Sequence, residues 1–212
     1  MVATVAPYLT LRFAAHSGLT RAHRHDSARF RHASCRSYPL FYHDGTERSV
    51  QRPVDTDEQE EYYSGKKKGH TVKNILLIGE TCAVEYLSPT HAGKWHDKSI
   101  ADDESYHLPA DSTLYQDMGF QGFTVATVTI QQPTKKPRGG ELTPEQKEEN
   151  RRIASERMRI EHAICGVKRC RIVKDKIRYW QDTIRDLVME IACGLHNFRL
   201  RFRPWHYDTR KA

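Results

Sequence analysis

Residues 38–46 read Tyr38-Pro39-Leu40-Phe41-Tyr42-His43-Asp44-Gly45-Thr46, and residues 113–122 read Thr113-Leu114-Tyr115-Gln116-Asp117-Met118-Gly119-Phe120-Gln121-Gly122. Each is a short run of strand-forming residues that delivers an aspartate and then meets glycine. The pattern predicts a strand from Tyr38 to His43 with a turn at Asp44-Gly45-Thr46. It predicts a second strand from Thr113 to Gln116, followed by a sharp turn at Met118–Gly122. If these strands are parallel neighbours, both aspartates emerge at one sheet edge, where α/β sheets place their sites.

Working outward, Thr71–Ile78 and Cys82–Leu87 flank Gly79-Glu80-Thr81 and read as a hairpin. The acid-rich Trp95–Tyr106 suits a short surface helix, and Phe123–Ile130 alternates valine, threonine and isoleucine as a strand does. The Pro133–Gly140 loop leads into Thr143-Pro144-Glu145-Gln146, a threonine cap with proline in the first turn and glutamine three residues on. That helix should reach about Cys165. In Lys176–Phe198 the residues Ile177, Trp180, Ile184, Leu187, Val188, Ile191, Leu195 and Phe198 recur at spacings of three and four, which predicts a helix with this face packed on a sheet. Strands first and long helices last give an α/β fold, a mixed sheet flanked by helices.

The 212 residues suffice for one full domain plus an appendage. Residues 1–36 are basic and histidine-sprinkled with no sustained period, so a disordered N-terminal segment is expected there, then a domain over 37–204 and a tail over 205–212. No apolar run approaches a membrane span, and Met1–Thr10 lacks the features of a secretory signal. Five cysteines without a Cys-x-x-Cys pair favour a reducing compartment. His162, Cys165 and Cys170 lie close together but lack a fourth zinc ligand. The net charge of +7 is segregated: +5 over Met1–His43, −7 over Asp44–Asn150 and +9 over Arg151–Ala212. An acidic centre beside a basic end suits a chain that gathers metal ions in one region and holds polyanions with another.

Asp44, Asp117 and Glu161 are the candidate metal ligands, because only a fold could unite acids so far apart and three carboxylates are a minimal protein share of a two-magnesium site. Arg157 and Lys168 fall near the helical face of Glu161 and would hold phosphates, although an ordinary Arg157–Glu161 surface pair has the same spacing. Asp44 and Asp117 also read as plain turn or cap residues.

Taken together, Asp44-Gly45-Thr46-Glu47-Arg48, Arg52-Pro53, Tyr62-Tyr63-Ser64-Gly65-Lys66-Lys67-Lys68, His96-Asp97, Asp117-Met118-Gly119-Phe120 and Arg157–Lys168 occur in the order found in insertion-sequence transposases. Over about Tyr38–Pro204 the chain resembles the DDE endonuclease domain of the group related to Harbinger elements. The resemblance implies an RNase H-like fold and a catalytic triad of Asp44, Asp117 and Glu161 binding Mg2+ or Mn2+, as two ions. It implies cleavage of double-stranded DNA at element ends to a free 3′ hydroxyl, strand transfer into target DNA, a homo-oligomer in the synaptic complex, and a cytoplasmic location, with the nucleoid if bacterial. Lys66, Lys67 and Lys68 would hold flanking duplex. His96-Asp97 either competes with Asp117 for the second metal position or supports it from behind, and Asp97 as a helix cap is the plain alternative. Nothing like the family's helical DNA-binding module fits in Met1–Arg36, which suggests a truncated copy or a catalytic half with a separately encoded partner. The competing function is a catalytically inactive relic that at most binds DNA.

Overall fold

A computed structural model describes residues 39–104 and 106–205. The segment expected to be disordered, 1–36, and residues 206–212 of the tail lie outside the described residues. In chain order the elements are β1 (Leu40–Ser49), α1 (Thr56–Tyr62), β2 (Tyr63–Ser64), β3 (Gly69–Gly79), β4 (Val84–Leu87), β5 (His91–Ala92), α2 (Asp97–Asp103), β6 (Thr113–Gln116), a 3-10 turn (Met118–Phe120), β7 (Thr129–Gln131), α3 (Pro144–Val167), α4 (Arg171–Lys174) and α5 (Asp182–Phe202).

The sheet runs β2-β3-β1-β6-β7, with β4 and β5 also on β3. β1 is antiparallel to β3 and parallel to β6, and β7 is parallel to β6. This is the α/β, RNase H-like mixed sheet flanked by helices. Strand alternation sorts the core into two layers. Tyr42, Leu76, Ile78 and Tyr115 face Ile153, Ile160, Ala163 and Val167 of α3 and Met189, Ala192, Cys193 and Leu200 of α5. Phe41, Ile75, Leu77 and Leu114 face Ile100 and Ala101 of α2, with Phe120 and Phe123.

β1 does not stop at His43. It runs through Asp44-Gly45-Thr46 to Ser49, because β3 supplies a continuous antiparallel partner as far as Ser49↔Thr71. Gly45 is needed here for space rather than for a turn: a Cβ there would stand 3.1 Å from the carboxyl carbon of Asp97. Most of Phe123–Ile130 is loop, with Gly122 at φ +84 and Thr127 at φ +63 bending the chain. Its apolar residues Phe123, Val125, Val128 and Ile130 all pack on the α2-side core, so their alternation reports burial rather than a ladder.

The capping box of α3 forms: Gln146 N donates to Thr143 Oγ1 at 3.2 Å, and Thr143 N donates to Gln146 Oε1 at 3.0 Å. Gly166 lies inside this helix, where a Cβ would come within 2.4 Å of His196 Nδ1, so the glycine lets α3 and α5 cross closely. α5 starts later than its periodicity implies, and Ile177 instead bridges to Val50. Its buried face is Arg185, Met189, Ala192, Cys193, His196 and Leu200, while Ile184, Leu187, Ile191, Leu195 and Phe198 are 38–57% exposed. Of the apolar stripe predicted to pack on the sheet, Ile177 is buried ahead of the helix and Val188 packs on the core, while the other members point outward. Small and slender side chains permit the close α3 crossing, and the buried polar side chains find partners for most of their atoms: His196 Nε2 meets the Cys82 carbonyl, and Arg185 Nη1 pairs with Asp182 at 2.8 Å and donates to the Tyr62 hydroxyl at 3.2 Å, leaving Nη2 unpartnered. Trp180, expected in the core, is 44% exposed and lies beside the Arg185 guanidinium.

Candidate active site

The parallel register of β1 and β6 ends at Tyr42↔Tyr115 and His43↔Gln116, so the next residues along the two strands are Asp44 and Asp117. They fall on the face of Tyr42 and Tyr115, whose rings stack at 5.3 Å under α3. Each aspartate is oriented by the amide that follows it: Gly45 N donates to Asp44 Oδ1 at 2.8 Å, and Met118 N donates to Asp117 Oδ1 at 2.7 Å. The 3-10 turn beginning at Met118 takes β6 away from β1 and opens the sheet beside Asp44.

Arg157 of α3 enters this opening. Its guanidinium stands 3.8 Å from Asp44 Oδ2 and 3.3 Å from Asp117 Oδ1, and its buried Nε has no partner. Burial raises the Asp44 pKa to about 6; Arg157 and the Gly45 amide pull it down, and the charges of Asp117 and Asp97 push it up. The helix is anchored over β1 by Tyr42, whose hydroxyl donates to Glu156 Oε2 at 3.0 Å and whose ring lies under Arg159.

Glu161 stands one turn after Arg157 on the same stripe of α3 and is exposed. Among the described residues no three His, Cys, Asp or Glu side chains stand close enough to hold one ion. The fold thus brings Asp44 and Asp117 together and sets Glu161 on the facing helix, about 6 Å of helical rise beyond Arg157. Lys168 caps α3 and donates to the Glu47 carbonyl at 3.3 Å. Burial lowers its pKa, and the charge of Lys67, in the Lys66-Lys67-Lys68 turn, lowers it further. All three turn lysines are exposed.

Asp97 occupies the other side of β1. Its carboxylate fills the space left by Gly45 and lies 3.4 Å from where Gly119 would carry a Cβ. The N-cap of α2 is His96, so Asp97 is in the first turn and not the cap. Its partner is Lys73, whose Nζ meets Asp97 Oδ1 at 3.2 Å, Glu47 Oε1 at 3.5 Å and the Trp95 carbonyl at 2.8 Å. Lys73 and Glu47 were not candidates from sequence. Their signal was a lone lysine in the apolar run Thr71–Ile78, placed by register opposite a glutamate.

The family described as DDE superfamily endonuclease matches residues 43–197, well over half of the chain and a span holding all four acids and Arg157. The chain belongs to that family. A curated relative, the "Probable transposase for insertion sequence element IS702" of Microchaete diplosiphon, is 28% identical over 164 residues, which are 77% of this chain and 58% of the relative. The chain spans little more than half the length of the curated relative it matches. No solved structure gives a significant match. No helix among the described residues is long and apolar enough to cross a membrane.

Proposed function

We propose that this chain is the catalytic domain, over about residues 37–204, of a transposase that cuts DNA phosphodiesters with divalent metal and joins the freed 3′ hydroxyl to target DNA. The observation that carries the reading is the pair Asp44 and Asp117, set side by side at the end of a parallel register and bridged only loosely by Arg157.

The donor set fits Mg2+ or Mn2+. It consists of hard carboxylate oxygens, already oriented by backbone amides, in a place where burial, with smaller contributions from the charges of Asp117 and Asp97, raises the proton affinity of Asp44. Asp44 and Asp117 would hold the ions, with Glu161 as the third carboxylate from α3. Bound there, two divalent cations would offset phosphate charge and favour the deprotonated form of the attacking water or hydroxyl.

The chain's own residues do the rest. With Asp44 and Asp117 engaged as metal ligands, Arg157 would be free to grip a phosphate beside the scissile bond, and Lys168 and Lys66–Lys68 would extend that grip along the duplex. Asp97 is assigned to support: with Lys73 it fixes the back of β1 behind Asp44. The proposed place of action is the cytoplasm, and the nucleoid if the host is bacterial.

The test is nicking and joining of element-end duplex by the purified chain with Mg2+ or Mn2+. The expected result is cleavage and strand transfer that vanish in Asp44→Asn, Asp117→Asn and Glu161→Gln. Salt-sensitive DNA binding indifferent to all three substitutions identifies an inactive relic, and cleavage without joining identifies a simple nuclease.

A further inference from the structure

The outward face of α5 has no role in the site described above. Ile184, Leu187, Ile191, Leu195, Phe198 and Phe202 are 38%, 40%, 46%, 53%, 57% and 71% exposed. Their spacings of 3, 4, 4, 3 and 4 residues make one straight stripe about 27 Å long. Together they bare on the order of 600 Å² of apolar side chain, the upper end of what monomers leave open. The opposite face of the same helix already fills the core, so the stripe is surplus to folding.

Charge along α5 is polarised. Its first half carries Asp182, Asp186 and Glu190 against one buried cation, Arg185, and its end carries Arg199 and Arg201, with Arg203 at the cap. A partner presenting an apolar stripe with the reverse charge order complements it, and α5 turned end to end is such a partner. The stripe is also self-complementary in register. Antiparallel pairing of Leu187 with Phe202 and of Ile191 with Phe198 puts Leu195 on the two-fold axis beside Gly194, whose missing side chain allows close approach. The same register sets Glu190 across from Arg201 at the flank. We infer that α5 of a second copy of this chain covers the stripe, packed antiparallel, so that the protein is a two-fold dimer before it meets DNA. The inference does not depend on the proposed DNA chemistry, and its readout is mass rather than activity.

Sedimentation velocity of the full chain at 1–50 μM protein, roughly the range where a standard interface is occupied, should show twice the chain mass without DNA. Leu195→Glu should raise the dissociation constant at least tenfold and leave the circular dichroism spectrum unchanged, because the side chain is exposed in the monomer; Ile191→Lys is the second variant should the first misfold. Glu190→Arg and Arg201→Glu should each weaken the dimer severalfold, and the double variant should restore it, which only the antiparallel register allows. A monomeric wild type overturns the inference, as does a dimer indifferent to Leu195→Glu. A monomer that dimerises only after residues 1–36 are removed also overturns it, because the chain's own N-terminal segment would then be the cover.

Discussion

Two clusters of the same composition, each two acids and one cation, lie on opposite faces of β1, and they differ in how well they are satisfied. On the α2 side, Lys73 is shared by Asp97, Glu47 and the Trp95 carbonyl. Glu47 further accepts from Ser64 at 3.0 Å and Thr71 at 3.4 Å. On the α3 side, Arg157 stands off from Asp44 at 3.8 Å, its buried Nε is unpaired, and burial lifts the Asp44 pKa. The first cluster is closed and holds structure. The second has unused ligand capacity and a cation that can be released, which is what a site must have before it accepts metal and phosphate. Identical charge counts therefore separate by satisfaction, and the under-satisfied cluster is the one proposed to function.

The largest effect that could break this contrast is catalytic. Asp44→Asn or Asp117→Asn should lower metal-dependent nicking by at least about 1,000-fold, roughly 4 kcal/mol of transition-state stabilisation, while Glu47→Gln should leave most of the rate. Equal losses in both clusters, measured by single-turnover cleavage, would erase the distinction. Next comes stability. Lys73→Met strands two carboxylates of which Glu47 is only 10% exposed, and should cost about 3 kcal/mol in urea unfolding at pH 7.

The closed cluster was hard to see in the sequence for a physical reason. Glu47 and Lys73 meet through the β1–β3 register, which is tertiary information, whereas Asp44 and Asp117 announce themselves locally by following strand-forming runs. Their meeting needed one further step, parallel pairing of β1 with β6. The α3 start was legible because a capping box is complete within four residues. The face of α5 was not: periodicity locates an apolar stripe but does not say whether a core or another surface receives it. Gly45 misled in a similar way, since a glycine needed for space against Asp97 looks identical, in one dimension, to a glycine needed for a turn.

Acid titration sharpens the contrast at a smaller scale. Without metal, the Asp44 carboxyl has a folded pKa of about 6 against 3.8 ordinarily. The folded state then binds more protons, so this group's contribution is present in full below pH 3.8 and is lost as pH rises through 6. The neighbouring His43, fully buried, is lowered to about 3 by desolvation. Its contribution runs the other way, present above pH 6.5 and lost as pH falls toward 3. Between pH 3.8 and 6 the two oppose each other. Asp44→Asn should therefore stabilise the chelator-treated protein by about 3 kcal/mol at pH 8 and hardly at all near pH 3.8, leaving a loss of about 1.4 kcal/mol per pH unit below 6.5 that follows His43 alone. Urea midpoints at pH 4, 6 and 8 measure this. A variant less stable than wild type at pH 8 would show that Asp44 is held by its partners and not strained by burial.

The smallest effect belongs to Arg157→Met. Removing the cation of a closed cluster leaves buried charge with no escape, but here Asp117 is 41% exposed and can be solvated, and Asp44 can take a proton. Because Arg157 is the strongest influence lowering the Asp44 pKa, its loss should move that pKa above 6, and at pH 7 the acid neutralises itself instead of remaining stranded. The stability cost should stay near 1 kcal/mol, about a third of that of Lys73→Met. It should also shrink as pH falls through 6, because protonation removes the charge that Arg157 was compensating. A cost that equals the Lys73→Met value, or that grows in acid, would mean that Arg157 is a fixed structural counter-ion, and its proposed release to a DNA phosphate would fail with it.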